Sequence, residues 1–270
     1  MTIAAEQNIE GVLRSFDSIS LGEMDAVALM DRQDTKFAAP ISKLPEILSK
    51  LKKDYFVLEV KNNRISSYDS LYFDTVDHDA YVKHHNGRTN RYKLRYRSYV
   101  ESKISFFEVK FKSNKGRTVK QRIRKAKINQ EFDSDDIQHL KEYSNLDHTR
   151  LVPSIWIYFK RITLVSKDFK ERATIDIDLT YKNNNDNKKV YCPGLIIIEV
   201  KQAMFSRNSK VISILHDFKI FPMKISKYCL GIISCFNDEV KYNKFKRKLL
   251  KLAKITSNDY YRNLVTTELT

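Results

Sequence analysis

Glycine and proline are scarce in this chain of 270 residues, six and five in all, and cysteine is scarcer still at three. No low-complexity linker or internal repeat divides it, so one domain with a helical tail is expected. Cys192, Cys229 and Cys235 are odd in number and fit no metal-ligand spacing, and all three read as packing residues. No apolar run approaches the roughly 18 residues that span a bilayer; the longest, Leu195 to Ile198 with Val200, reads as a buried strand. The opening MTIAAEQNIEGVLRSF lacks a basic stretch followed by an apolar one, so no secretory signal is expected and the cytoplasm is the expected compartment. Neither a G-x-x-x-x-G-K-[ST] loop nor a G-x-S-x-G elbow occurs, which leaves P-loop and α/β-hydrolase chemistry without support.

Acidic residues are also outnumbered, 33 against 49 Lys and Arg, for a formal charge of +16. That balance points to nucleic acid, an anionic membrane or a phosphate-rich ligand. Periodicity predicts an extended segment over Ala28–Ala38 and a helix from Pro40 to about Lys53. A strand over Ser66–Asp74 precedes a short helix capped by Asp74, Thr75 or Asp77 and ended by Gly87. Three alternating runs, Arg91–Tyr99, Ile104–Lys112 and Arg117–Lys127, read as a meander, with helix around Asp135–Tyr143. Strands are expected over Ser154–Val165, Arg172–Leu179 and Leu195–Gln202, and helices near Ser209–Phe218, Ser226–Phe236 and Glu239–Ile255. The polar run KNNNDNKK, Lys182–Lys189, reads as a hairpin loop. The whole suggests an α+β chain built on a closed antiparallel β-barrel with flanking helices.

Alternation puts Arg91, Lys93, Arg95 and Arg97 on one face of a strand. Side chains two apart on a strand are roughly 7 Å apart, so each neighbouring pair repels by about 2 kcal/mol at an effective dielectric near 20. Glu108, Lys110 and Lys112 align on the next strand, and Lys120, Arg122 and Arg124 on the third. In the strand from Arg172, one face carries Arg172, Thr174, Asp176 and Asp178 and the other Ala173, Ile175, Ile177 and Leu179. A solvated face usually mixes signs, whereas these gather cations on successive strands, so a wet cationic interior for phosphate is expected. Arginine pairs bidentately with phosphate oxygens and lysine supplies a compact charge. A carboxylate in such a site has two readings, a metal ligand or a salt-bridge partner of a neighbouring Arg; Glu199 is the first metal candidate, Glu108 and Asp176 the next.

Eight motifs occur in order: RQDTK (Arg32–Lys36), LYFDT (Leu71–Thr75), KLRYR (Lys93–Arg97), FEVKFK (Phe107–Lys112), VKQR (Val119–Arg122), RATIDIDL (Arg172–Leu179), IIEVK (Ile197–Lys201) and SKY (Ser226–Tyr228). Together they resemble the VTC domain, the polyphosphate polymerase module of the vacuolar transporter chaperone complex, in a bacterial-type standalone form spanning roughly Leu29 to Gly231. The resemblance implies a triphosphate tunnel related to the CYTH superfamily, transferring the terminal phosphate of ATP to polyphosphate. It implies that Lys36, Arg95, Arg97, Lys110, Lys120, Arg122, Arg172 and Lys227 hold phosphates, that Ser226 donates beside Lys227, and that Glu199 binds Mn²⁺ or Mg²⁺. Lys36, Arg95, Arg97 and Arg172 are the expected catalytic clamp; Lys93 and Lys112 join the phosphate-binding set. Lys112 stands where eukaryotic members tend to have a histidine. At the ExExK strand of CYTH hydrolases this chain has Arg32, Asp34 and Lys36, and the lost first acid favours the polymerase branch over a triphosphatase. A polyphosphate-binding module without catalysis is the further alternative.

The expected organisation is an extension over 1–27, the tunnel domain over 28–237 and a basic helical tail over 238–270. The stretch Lys241–Ile255 holds seven basic residues and no acid, and could contact an anionic membrane or a partner, although packing of Tyr242, Phe245, Leu249 and Leu252 against the barrel is the plainer reading. Export of product would require a membrane-protein partner. His84 and His85 read as helix C-terminal histidines. Nucleic acid is not expected, because the tyrosines of Arg91–Tyr99 fall mainly opposite its cations, whereas base stacking needs both on one surface.

Overall fold

The computed structural model describes residues 3–26, 33–186, 189–202 and 209–266. Its strands are β1 (Ser18–Ile19), β2 (Gln33–Pro40), β3 (Tyr55–Leu58), β4 (Ser66–Asp74), β5 (Arg91–Tyr99), β6 (Ile104–Lys112), β7 (Thr118–Lys125), β8 (Val152–Ser166), β9 (Glu171–Asn183), β10 (Lys189–Tyr191) and β11 (Leu195–Gln202). The helices are α1 (Ile3–Arg14), α2 (Leu21–Ala26), α3 (Leu44–Leu51), α4 (Asp79–His85), α5 (Ser134–Tyr143), α6 (Lys210–Asp217), α7 (Lys227–Cys235), α8 (Lys246–Thr256) and α9 (Tyr260–Thr266).

The strands join one sheet with a path β2-β11-β9-β8-β4-β5-β6-β7, antiparallel throughout, and a short parallel pair, β1 with β3, at its margin. The expected fold class is therefore observed: a large antiparallel sheet with flanking helices and a basic C-terminal helix. Closure is the exception, since among the described residues β2 and β7 do not pair. The edge strand β7 is charged and largely exposed, which blunts an open edge against further pairing.

The outer face is dry. Phe37, Ile162, Ile175, Ile177, Ile196 and Ile198 pack with α1, α3 and α6, while α5 covers Leu71, Leu94, Tyr96, Phe107 and Val109. The inner face divides lengthwise. At one end Ala38, Leu195, Ile197, Ile155, Ile157 and Tyr181 pack with α7, α8 and α9; at the other it carries charge. The division runs through a β-bulge, where the β8–β9 register shifts between Tyr158 and Lys160 and Asp178 adopts φ 53°. Before it Ile175 and Ile177 join the outer core; after it Leu179 and Tyr181 join the inner one.

That bulge corrects the expected alternation: Asp178 does not share a face with Asp176 but lies near Lys160, which also pairs with Glu6 of α1. The expected helix Glu239–Ile255 starts late, as a 3-10 turn at Asn243–Phe245 and then α8, because the chain turns after Phe236 to bury the Tyr242 ring. Residues 28–32 of the expected first strand, Arg32 among them, lie outside the described residues. No helix among the described residues is long and apolar enough to cross a membrane.

Candidate active site

The antiparallel register of β5, β6 and β7 turns the strand-by-strand alternation into rows across the inner face. Lys93, Lys110 and Lys120 are consecutive cross-strand partners, with no acid in the row. Like charges placed directly opposite are destabilising. In the next row Glu108 lies between Arg95 and Arg122. Arg95 binds Glu108 through Nε at 2.6 Å and donates from Nη1 to the Tyr72 hydroxyl at 2.7 Å. Arg97 follows, 8 % exposed, donating to Ser70 Oγ at 3.1 Å and lying over the Tyr68 and Phe159 rings. Among the described residues no carboxylate forms a salt bridge with Arg97.

Across the interior, Lys36 and Glu199 are register partners on β2 and β11 and form an ion pair. Asp176 on β9, 2 % exposed, takes Arg161 as a two-pronged partner and pairs also with Lys227. Glu108, 1 % exposed, likewise holds Lys120 at 3.2 Å as well as Arg95. Glu108 and Asp176 are thus enclosed by cations, as buried carboxylates must be. Against the burial that would raise them, both carboxyls are held well below the ordinary range, Glu108 by Arg95, Arg97 and Lys120 and Asp176 by Arg161 and Lys227.

Helix α7 brings Ser226 and Lys227 to this interior. Ser226 caps it, its side chain accepting the Cys229 amide, and accepts a bond from Lys93 Nζ at 3.0 Å. The helix lies close to the sheet because residue 231 is glycine: a Cβ there would stand 2.6 Å from Ile155 Cδ1 and 2.7 Å from Tyr181 Cδ1. Asp74 fixes its other face, accepting from the Tyr228 hydroxyl and from the Ala80 amide of α4 at 2.8 Å. Cys229 is buried, as expected, but its thiol lies 2.9 Å from His84 Nδ1, to which Lys93 also donates at 2.9 Å. His84 is therefore more than a helix-end residue; burial, then Lys93 and Arg91, push its pKa far down, so the ring is neutral and accepts.

Lys110 is exposed to water, yet the surrounding protein desolvates it and, with Arg95, pushes its ammonium down to about 8. That combination describes a side chain in a wet concavity. Burial would raise the Tyr72 phenol, but Arg95, Arg97 and Lys93 bring it down to about 8. Asp34 and Glu199 share a side-chain hydrogen bond; burial, then Glu199, raises the Asp34 carboxyl, whereas Lys201, Lys36 and Lys227 hold Glu199 well below its ordinary range despite burial. Two adjacent carboxyl groups whose charges oppose one another suit a divalent cation between them. No cluster of three or more His, Cys, Asp or Glu able to hold a metal occurs among the described residues, so phosphate oxygens and water would complete the shell, as Mg²⁺ allows. On those terms the residues present fit such an ion.

Of the sequence-predicted residues, Lys36, Lys93, Arg95, Arg97, Lys110, Glu199, Ser226 and Lys227 line one interior. Lys120 and Arg122 belong to its rows on the exposed strand β7, Arg122 lying 4.3 Å over the Phe106 ring. Arg172 sits at the far end of the charged half, facing Lys201 and donating to the Met24 carbonyl at 3.2 Å. Lys112 turns to the hairpin, donating to the Gly116 carbonyl at 3.0 Å. Sequence reasoning missed Arg161, Tyr72 and His84.

A family model described as VTC domain matches residues 31–236. The chain belongs to the VTC domain family. The match takes in every strand from β2 to β11 and ends with α7, so α8 and α9 follow this VTC domain rather than forming part of the matched region. Comparison with curated proteins finds no match. Among solved structures, a Hippeastrum protein described as an adenylyl cyclase candidate with a dominant triphosphatase activity is 13% identical at a TM-score of 0.48, over 77% of this chain and 97% of that one. A candidate adenylate cyclase from Bacillus halodurans is 14% identical at 0.46, over 73% and 96%. A Pyrococcus horikoshii OT3 protein is 11% identical at 0.41, over 74% and 98%.

Proposed function

We propose that this VTC domain is a polyphosphate polymerase, converting ATP and a polyphosphate chain into ADP and a chain longer by one phosphate. The observation that carries this reading is the row Lys93–Lys110–Lys120, with Arg95 in the next row and the buried Arg97 in the one after. Cations assembled at the cost of mutual repulsion are offset by a polyanion laid along them. Phosphoryl transfer needs positioning and charge neutralisation more than covalent chemistry.

Lys36, Arg95, Arg97 and Arg172 would clamp the reacting phosphates, with Arg161 added from the geometry. Lys93, Lys110, Lys120, Arg122, Ser226 and Lys227 would hold the chain, and Lys112, turned to the hairpin, would not. Asp34 and Glu199 would hold Mn²⁺ or Mg²⁺, and such an ion, when bound, neutralises charge on phosphoryl oxygens. The acceptor phosphate is already anionic, so this chain need supply no general base.

The test incubates purified protein with ATP and Mn²⁺ and follows ADP, orthophosphate and polyphosphate separately, with Lys36→Ala and Glu199→Gln beside it. ADP with polymer, lost in both variants, is the expected result. Orthophosphate without polymer would replace the reading by a triphosphatase, and tight polyphosphate binding without turnover by a binding module.

A further inference from the structure

Helix α8 presents two faces of opposite character. Leu249 and Leu252 are fully buried against the inner core, while Lys251, Arg247 and Lys254 face water on the far side. Lys248 and Lys251, three apart on α8, share one edge of that basic face, and the exposed Lys244 precedes them in the 3-10 turn Asn243–Phe245. Among the described residues no carboxylate pairs with any of the three.

This basic edge is linked to the interior by a chain of side-chain contacts. Lys93, the first member of the lysine row, donates to His84. The His84 ring meets Phe245 at 6.1 Å between centroids, and Lys248 Nζ lies 5.2 Å over the same Phe245 ring. The ring of His84 feels Lys93, Arg91, Lys248 and Lys110 together. The junction is pinned, because the Tyr81 hydroxyl donates to the Lys241 carbonyl at 2.8 Å and the Lys244 amide to His85 Nε2 at 3.3 Å. Side-chain contacts therefore lead from Lys93 through the His84 and Phe245 rings to Lys248 on α8.

We propose that α8 binds polyphosphate outside the tunnel, carrying the part of the chain that emerges past Lys93 along Lys248, Lys244 and Lys251. This rests on the polyphosphate reading of the interior and extends it to a second, external segment of the same anion. A linear polyanion is the occupant favoured over an anionic membrane. A surface-seated membrane helix needs an apolar face free to insert, and that face of α8 is spent on the protein core, with Leu250, 37 % exposed, the large apolar side chain left outside.

The test measures binding of tripolyphosphate and of long-chain polyphosphate, across a salt series, to the full chain and to a K244E/K248E/K251E variant. A variant with arginine at the same three positions controls for charge. Long chains should bind the parent more tightly than tripolyphosphate does. The charge-reversed variant should lose about tenfold or more for long chains, with a shallower salt dependence and tripolyphosphate binding kept, and the arginine variant should match the parent. Equal long-chain binding by parent and reversed variant would overturn the track alone. Failure of the parent to bind either anion would overturn the tunnel reading, and the track with it. Vesicles of neutral lipid with and without an anionic lipid are the last arm: a loss confined to anionic vesicles would make α8 a membrane surface and overturn the proposal.

Discussion

Arg161 and Asp176 lie directly opposite one another on β8 and β9 and meet as a fork, Nε to Oδ1 at 2.5 Å and Nη2 to Oδ2 at 2.9 Å. Asp176→Asn leaves Arg161 and Lys227 buried without their anion, a loss of about 3 kcal/mol or more. Thermal melting should show a lowered Tm, and tripolyphosphate should raise the variant's Tm by more than the parent's. Because the Asp176 carboxyl is held below its unfolded value, its contribution is complete at neutral pH and fades as pH falls from about 4 towards the folded value. The gap between parent and variant should narrow over that window; a constant gap would show that the charge pair is not its source.

Lys110→Met removes two opposed like-charge pairs, Lys93–Lys110 and Lys110–Lys120, from the lysine row. Each opposed pair costs roughly 0.2–1 kcal/mol, so the ligand-free protein should become slightly more stable while triphosphate affinity drops by about tenfold or more. Melting and binding measured on one preparation check both signs. A variant that binds less well and is also less stable would show that Lys110 holds the fold.

Phosphate binding should weaken as pH rises. Lys110 loses its proton around 8 and Tyr72 becomes a phenolate in the same range, so a cation is lost and an anion gained. Bound phosphate favours the ammonium, which shifts the complex to a higher midpoint than the free protein. Tripolyphosphate affinity followed from about pH 7 to about pH 9 should fall, and Tyr72→Phe should make the fall shallower.

Gly231→Ala sets helix propensity against packing. Alanine is better in a helix by about 1 kcal/mol, but its Cβ would meet the Ile155 and Tyr181 side chains well inside contact distance. Overpacking at about 1–3 kcal/mol decides the sign, so Tm should fall. Displacement of α7 also moves Ser226 and Lys227, so turnover should fall by more than the loss of folded protein explains. A stabilised, fully active variant would show that α7 has room to shift.

The cation rows were legible because each strand alternates on its own, and Arg95 and Lys110 each stand between aromatic or aliphatic neighbours. Arg161 was not, because Lys160 precedes it and the two cations point to opposite faces, leaving neither face of β8 charged by pattern. Tyr72 sits in the apolar-looking run LYF, and its place beside Arg95 depends on the β4–β5 register. The His84–Cys229 contact joins residues far apart in sequence. The bulge at Asp178 has no local signal, since aspartate takes the left-handed region there without a glycine to mark it. The long, strongly periodic elements were read to within a few residues; α1, α2, α9, β1, β3 and β10 are short or flank the main pattern and were not.

The segment between α6 and α7 meets the backbone of β2 at Lys36 and Phe37. The Met223 amide donates to the Lys36 carbonyl at 2.7 Å, and Pro222 forms a bridge with Phe37. Four residues after Met223 comes Lys227. The backbone that bears Lys36 and the backbone that leads to Lys227 are thus joined by one short strut, which sets the spacing of the two side chains. Residues inserted between Met223 and Lys227 would lengthen that strut and release the placement of Lys227 from that of Lys36.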